Sequence, residues 1–354
     1  MSAPGTPLRT AVVGYGLGGE VFHAPLVHAT PDLALTSIVT NAPDRVAKAR
    51  ARYPDANVLP NVEALWKRAG EHDLVVVSTP NRFHVPIALG AFDAGLHVVM
   101  DKPLAPTADE ARRAVLTAAD LGLVLTVFQN RRLDGDFLTV RRLIDEGALG
   151  GVFRFESRFE RWRPTLDGGW RELGAPEEGG GLLLDLGSHL VDQAVELFGL
   201  PVSVYAEVER RRQGAATDDD AFVALRHGGG VVSHLWMSAV AGSLGPRFRV
   251  LGLSGAYEKH GLDPQEEQMS RGVAPGNPEY GLEPEDRWGR LIRGDESEAV
   301  PTERGDYPRF YASVARAILD GSPPPVSAAD AVATLEILEA AGESARTGAP
   351  VSLS

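Results

Sequence analysis

The chain has 354 residues, a formal net charge of −13 and no cysteine. That length exceeds one ordinary core and sets two domains as the expectation. The acidity argues against a nucleic-acid or anionic-membrane surface as partner, since both need clustered Lys and Arg, and the missing thiols exclude disulfides and cysteine-ligated zinc.

Residues 1–8 carry two prolines and a glycine and read as a loose leader. Ala11, Val12 and Val13 then form a short apolar run, expected as a strand buried on both faces. Gly14, Gly16 and Gly19 fit G-x-G-x-x-G, with Leu17 between them, and residues 20–29 read as a helix. Such a turn brings backbone N–H groups close to a pyrophosphate at the helix N-terminus. Glycine-rich turns also close strands for purely structural reasons; the place between strand and helix favours dinucleotide binding here. The only early apolar run is this strand, so no secretory signal is expected. The longest stretch without Asp, Glu, Lys or Arg, 227–246, is interrupted by glycines, serines and two histidines. It reads as sheet and turn, and a cytoplasmic protein is expected.

Strand and helix patterns alternate up to about Phe128. Strands are expected over 33–40, 74–78, 97–100 and 124–128, and helices over 44–53, 84–94 and 108–121. This rhythm predicts a doubly wound parallel sheet over 1–128, an α/β dinucleotide-binding domain. Ligands of such sheets lie beyond the carboxyl ends of the strands. That places the glycine turn, Thr40-Asn41, Ser78-Thr79-Pro80-Asn81 and Asp101-Lys102-Pro103 on one rim, with His84 one turn past a strand end. After the second strand the chain reads Val39-Thr40-Asn41-Ala42, with Arg45 beyond it and no Asp or Glu where NAD-selective sites place one. A carboxylate near a 2′-phosphate would cost about 4 kcal/mol at about 4 Å and an effective dielectric of about 20. Its absence permits the phosphate, with Thr40, Asn41 and Arg45 to bind it, so NADP is the expected cofactor and NAD the alternative.

The pattern changes after Asn130, and residues 129–354 read as a second, α+β domain with a large, mostly antiparallel sheet. A helix is expected over 137–146 and a strand over 152–160, with Phe153, Phe155 and Phe159 on one face and Arg154, Glu156, Arg158 and Glu160 on the other. Further strands are expected over 202–210, 222–227, 231–238 and 247–253. Residues 263–306, rich in Pro, Gly and Glu, read as a long loop, a lid or a linker. Helices over 309–319 and 328–346, separated by three prolines, close the chain.

Two segments offer chemistry. Lys102, directly after a parallel strand, points into the rim or is an ordinary solvated lysine before a proline. A helix expected over 182–198 carries Asp185, His189, Asp192 and Glu196 on one stripe, at i, i+4, i+7 and i+11. That stripe is either a solvated face or part of a site. No third ligand at suitable spacing accompanies Asp185 and His189, so no metal is expected. His23 and His28 flank the first helix and need no functional reading. Trp162, Trp170, Tyr280 and Trp288 are candidates for stacking on a sugar face or for the core.

Together these pieces resemble the Gfo/Idh/MocA family. Its pattern is an N-terminal glycine loop, a Glu-Lys-Pro-like tripeptide and Asp-x-Gly-x-His on a helix of the second domain. Here these are Gly14 to Gly19, Asp101-Lys102-Pro103, with Asp for Glu, and Asp185-Leu186-Gly187-Ser188-His189. The likeness extends to the branch of NADP-dependent scyllo-inositol dehydrogenases through the stretches 14–26, 129–140, 155–164 and 259–266. The resemblance implies that Lys102, Asp185 and His189 are catalytic, that Gln129 joins the cofactor contacts, and that Arg158 and Trp162 join the trio in holding substrate. It also implies a last helix packed on the cofactor domain and a homodimer or homotetramer formed through the open sheet face.

The reading is then an NADP(H)-dependent oxidoreductase interconverting a secondary alcohol and a ketone on a cyclic polyol or sugar. A histidine suits the proton-accepting role because its ordinary pKa of about 6.5 lies near neutrality. The alternatives are an NAD-dependent glycosidase and a non-catalytic nucleotide-sensing regulator on the same fold.

Overall fold

The computed structural model describes residues 6–174 and 179–353. Residues 1–5 of the expected leader lie outside the described residues, as do the side chains of Trp170 and Arg171. By their contacts the described residues form two compact units. The first holds residues up to Asn130 together with Gln265–Tyr280 and Asp306–Val332; the second holds Arg131–Pro264, Gly281–Gly305 and the chain from Ala333 onward. The helix Pro308–Leu319 therefore belongs with the first unit, whereas the greater part of the last helix, Ala328–Thr347, belongs with the second. A single break at residue 128 does not describe this grouping, because the chain returns to the first unit twice.

In the first unit six strands form a parallel sheet: β1 Leu8–Val13, β2 Leu33–Val39, β3 Asn57–Leu59, β4 Leu74–Val77, β5 His97–Met100 and β6 Leu125–Val127, in the order β3-β2-β1-β4-β5-β6. Every residue of β4 is buried, as a central strand covered on both faces requires. β3 and the short helix Val62–Trp66, whose start Asn61 caps by accepting the Ala64 N–H at 2.9 Å, were too short to leave a periodic signal. The expected helix over 20–29 divides in two: a wide turn, Gly18–His23, in which the Ala24 N–H reaches back five residues to the Gly19 carbonyl, and then Ala24–Ala29.

The second unit is built on nine strands: β7 Val152–Glu160, β8 Pro201–Glu209, β9 Asp220–His227, β10 Val232–Ser238, β11 Phe248–Gly252, β12 Gly255–Lys259, β13 Gly289–Arg293, β14 Glu296–Val300 and β15 Val351–Ser352. Their order is β14-β13-β12-β11-β7-β10-β9-β8-β15, and all neighbours are antiparallel except β7 and β10. Phe155, Phe159 and Phe248 are fully buried beneath the helix Gly187–Phe198, each contributing on the order of 2–3 kcal/mol. Phe153, on the same strand as Phe155 and Phe159, is 44% exposed.

The loop expected over 263–306 is also corrected. It contains the helix Gln265–Ser270 and the hairpin β13–β14, turned at Gly294 with φ +61° and joined to the sheet through β12. Only Gly289, Leu291 and Val300 are buried in that hairpin, which is why its alternation is faint in the sequence. Among the described residues no helix is long and apolar enough to cross a membrane.

Candidate active site

The sheet register of the first unit builds the rim. Val13 pairs with Val39 and Val77, Val77 with Met100, and Met100 with Val127, so five strands end in one row. Gly14, Thr40, Ser78, Asp101 and Phe128 are the next residues out. All five of their N–H groups continue the ladder: Gly14 to Val39, Thr40 to Leu59, Ser78 to Val13, Asp101 to Val77 and Phe128 to Met100, at 2.8–3.0 Å. The structure thereby brings together the predicted residues of this rim.

The glycine loop fits a phosphate. A Cβ on Gly14, which has φ +96°, would strike the Ser78 carbonyl, and one on Gly19 would strike the Gly14 carbonyl. Gly18 is a residue the motif reading missed; its Cβ would meet Ser78 Oγ and come within 2.7 Å of Asp101 Oδ2. Gly16 is different, because a Cβ there meets only Arg45 Nη1, at 3.9 Å. The chain itself demands glycine at 14, 18 and 19. At Gly16 it leaves open space beside a guanidinium on the first turn of the helix Pro43–Arg52, the chemistry a phosphate needs. Leu17 is 66% exposed at the tip of the loop, and Thr40 is buried where the second strand ends.

Asp101 is the hub beside Lys102. Its Oδ1 accepts the Lys102 N–H at 2.8 Å, and its Oδ2 accepts the Ser78 hydroxyl at 3.0 Å and lies 3.3 Å from His23 Nε2. Burial raises the Asp101 pKa, but the facing His23, with its hydrogen bond, and then Lys102 and His84 outweigh it and hold the carboxyl well below the usual range. Lys102 is joined to Pro103 by a cis peptide. His84, expected at the cofactor, is fully buried. Its ring nitrogens lie 2.9 Å from the Pro103 and Thr79 carbonyls, so it braces the turns after β4 and β5 from within. Burial lowers its pKa. Asn81 and Gln129 are also buried at these turns.

In the second unit the helix expected over 182–198 is interrupted. Leu182–Asp185 and Gly187–Phe198 are separate turns meeting at Leu186. Packing is tight at Gly187, where a Cβ would come within 3.1 Å of Leu338 and 3.2 Å of Met237. The break leaves Asp185 half-buried at the end of the first piece and His189, 5% exposed, in the first turn of the second. The rest of the stripe is structural. Asp192 is gripped by Arg132, whereas Glu196 takes Arg132 and Arg141, at 2.8 and 2.7 Å. Gln193 donates to the Arg131 carbonyl at 2.7 Å and accepts from Arg247 at 2.9 Å. Arg131 and Arg132, from the 129–140 stretch, thus anchor this helix.

Asp185 lines a cavity of about 220 Å³ within the second unit. Arg161, Arg163, Asp167, Glu172, Arg212, Asp218 and Ser238 supply its other polar side chains. Arg212 is committed to Asp219 and Glu172, at 2.9 and 2.6 Å. Asp218 accepts the Leu183 N–H at 2.7 Å, and burial raises its pKa. Arg158 is not brought to this cavity: its guanidinium sits 3.8 Å over the Trp236 ring and pairs with Glu156 at 3.1 Å. Trp162 is 61% exposed beside Gly242. Tyr280 is buried with its hydroxyl on Met269, and the Trp288 Nε1–H donates to the Glu283 carbonyl at 3.3 Å. Among the described residues no group of three His, Asp or Glu is placed to hold a metal ion.

This architecture is that of a two-domain oxidoreductase with a nucleotide-binding Rossmann sheet. Residues 8–129 match the family description "Oxidoreductase family, NAD-binding Rossmann fold", and residues 141–353 match "Oxidoreductase family, C-terminal alpha/beta domain". The chain belongs to the Gfo/Idh/MocA oxidoreductase family. It is 39% identical over 349 residues to the uncharacterized oxidoreductase YdgJ of Escherichia coli, covering 98% of this chain and 99% of that one. It is 34% identical over 343 residues to the scyllo-inositol 2-dehydrogenase (NADP(+)) IolW of Bacillus subtilis, covering 96% and 94%. The solved structure of the Bacillus subtilis oxidoreductase yvaA superposes with a TM-score of 0.91 at 32% identity, covering 98% of this chain and all of that one.

Proposed function

We propose that the chain is an NADP(H)-dependent dehydrogenase that interconverts a secondary alcohol and a ketone on a cyclic polyol or sugar, in the cytoplasm. The observation that carries this reading is the rim, where an open Gly16, the Arg45 guanidinium and the Asp101-Lys102 pair follow β1, β2 and β5 of one parallel sheet. Arg45, Thr40 and Asn41 would hold a 2′-phosphate, with no carboxylate within residues 39–42, directly after the second strand, to repel it. When bound, the nicotinamide supplies a hydride acceptor or donor.

His189 takes the hydroxyl proton on an imidazole nitrogen during oxidation and returns it during reduction. The Lys102 ammonium donates to the reacting oxygen and stabilises its developing negative charge. Asp185 accepts hydrogen bonds from neighbouring hydroxyls, and the polar cavity beside it suits a ring bearing several of them. The name of the relative IolW makes scyllo-inositol the first substrate to try. In the cavity, Arg161 is the arginine we assign to the substrate contact expected of Arg158.

The outer face of β7, β9 and β10 carries Phe222, His234 and Trp236 in mutual ring contact, only partly buried. We assign that face to a homodimer or homotetramer contact, which a scattering mass of one chain would refute.

The deciding experiment is a panel of inositols and sugars with NADP+ and with NAD+, followed at the nicotinamide absorbance band. Net reduction with a marked preference for NADP+ is expected. Turnover of a glycoside without net absorbance change would instead favour a glycosidase, and no turnover with tight nucleotide binding a sensor.

A further inference from the structure

His23 follows the glycine loop and carries no motif, yet it is fully buried against the Lys102 segment. Its Nδ1 lies 2.6 Å from the Tyr311 hydroxyl and its Nε2 lies 3.3 Å from Asp101 Oδ2. With the Tyr311 O–H donating to Nδ1, Nε2 is the nitrogen that carries its proton toward the carboxylate, in close polar contact at 3.3 Å but without the alignment of a hydrogen bond. Burial, and after it the Asp101 charge, raise the Tyr311 pKa well above its usual value, so the phenol keeps the proton that this direction needs. The ring is fixed sideways as well, with its centroid 4.5 Å from that of Phe128 and in edge contact with Tyr311.

Asp101 has two oxygens with two duties. Oδ1 takes the Lys102 N–H, whereas Oδ2 takes Ser78 and faces His23. A carboxylate is rigid, so whatever fixes Oδ2 also fixes the direction from which Oδ1 holds the Lys102 backbone. Gly18 packs on the same atoms, since any side chain there would meet Ser78 Oγ and Asp101 Oδ2.

We propose that His23 is a positioning residue for Lys102, and that Tyr311, His23 and Asp101 form a buried row of polar contacts that sets the Lys102 backbone relative to the glycine loop. The inference rests on the reading of Lys102 as catalytic. The groups facing Asp101 are His23, Ser78, Lys102, His84 and Tyr311, and His23 lies between the carboxylate and Tyr311 of the helix Pro308–Leu319.

The test compares His23→Leu, His23→Gln and Tyr311→Phe in the full-length protein. Amide hydrogen exchange at Lys102 needs no substrate; it is expected to quicken about tenfold in His23→Leu and less in Tyr311→Phe, as for loss of one oriented hydrogen bond of about 1.4 kcal/mol. His23→Gln, whose side-chain N–H can still donate to Asp101, should restore most of the protection. With the polyol the panel identifies, His23→Leu should lower kcat about tenfold while the NADP+ dissociation constant moves by less than about threefold. In a Lys102→Ala background the same change should cost no further activity, because its effect passes through Lys102.

Equal loss in both backgrounds, or unchanged Lys102 exchange, overturns the proposal. Full activity of Lys102→Ala removes the catalytic reading and this inference with it. An inactive Lys102→Ala beside a wild-type His23→Leu removes the inference alone. Should His23→Leu fail to fold, Tyr311→Phe decides: it loses one hydroxyl, and unaltered exchange and kcat there are the overturning result.

Discussion

Arg132 holds Asp192 with two parallel hydrogen bonds, Nε to Oδ2 at 2.8 Å and Nη2 to Oδ1 at 2.7 Å, and the Asp192 side chain is only 1% exposed. Paired charges out of water break even only while both partners are present; removing one leaves the other stranded. Asp192→Ala is therefore expected to lower the unfolding free energy by about 3 kcal/mol. Glu196→Ala, whose side chain is 27% exposed, should cost less than about 1 kcal/mol. Urea denaturation of the two variants measures the difference, and equal small losses would return Asp192 to the status of a surface residue.

The glycine loop separates fold from ligand. Gly19→Ala drives a methyl into the Gly14 carbonyl and should lower the melting temperature by several degrees, about 1–3 kcal/mol of strain. Gly16→Ala meets nothing nearer than Arg45 at 3.9 Å, so it should melt as wild type. Its added methyl lies in the space assigned to a phosphate and should weaken NADP+ binding about tenfold or more, by calorimetric titration. A Gly16→Ala protein with wild-type affinity would count against this loop as the phosphate site.

Much of this was legible in the sequence for physical reasons. Parallel strands buried on both faces leave unbroken apolar runs, so β4 and β5 stand within a residue of their expected bounds. The hairpin β13–β14 was not legible, because an edge hairpin with three buried residues has almost no period to read. At the candidate site the motif residues Lys102, Asp185 and His189 were visible as a pattern. The supports were not: His23 meets Tyr311 across 288 residues, and Arg132 meets Asp192 across 60. Local pattern carries no information about such partners. The close packing of Leu338 and Met237 on Gly187 was hidden for the same reason.

Stability should fall as the solution is acidified through the histidine range. Burial lowers the pKa of His72, His84, His97 and His227, so the folded chain keeps them neutral at a pH where the unfolded chain, near about 6.5, takes up protons. The unfolded state then binds more protons, and stability rises with pH, by up to about 1.4 kcal/mol per pH unit for each histidine held fully neutral. Asp101 acts elsewhere: its depressed pKa contributes stability above the ordinary carboxylate range and loses it only as pH falls below that range. Asp218, raised by burial, works in the opposite sense from the carboxylate range upward. Urea midpoints should therefore decline between about pH 7.5 and about pH 5.5. A flat profile would mean that the folded chain takes up protons on these rings as readily as the unfolded chain does.

The catalytic assignment makes the most specific demand, because Lys102 and the pair Asp185 and His189 belong to different compact units. Each has its own local support: Asp101 fixes the Lys102 backbone, and the closely packed Gly187 lies between Asp185 and His189. If both act on one substrate, Lys102→Ala and His189→Ala should each lower kcat by about 10²-fold or more, the scale of a lost acid–base or electrostatic group. NADP+ affinity should change far less, since neither substitution touches the glycine loop. Asp185→Ala should chiefly raise KM, because its assigned work is to accept hydrogen bonds from substrate hydroxyls rather than to move a proton. His189 is 5% exposed, so its alanine variant must first be shown to melt near wild type. With that control, near-full turnover by His189→Ala would assign the helix Gly187–Phe198 to the core alone and leave Lys102 without its proton-transfer partner.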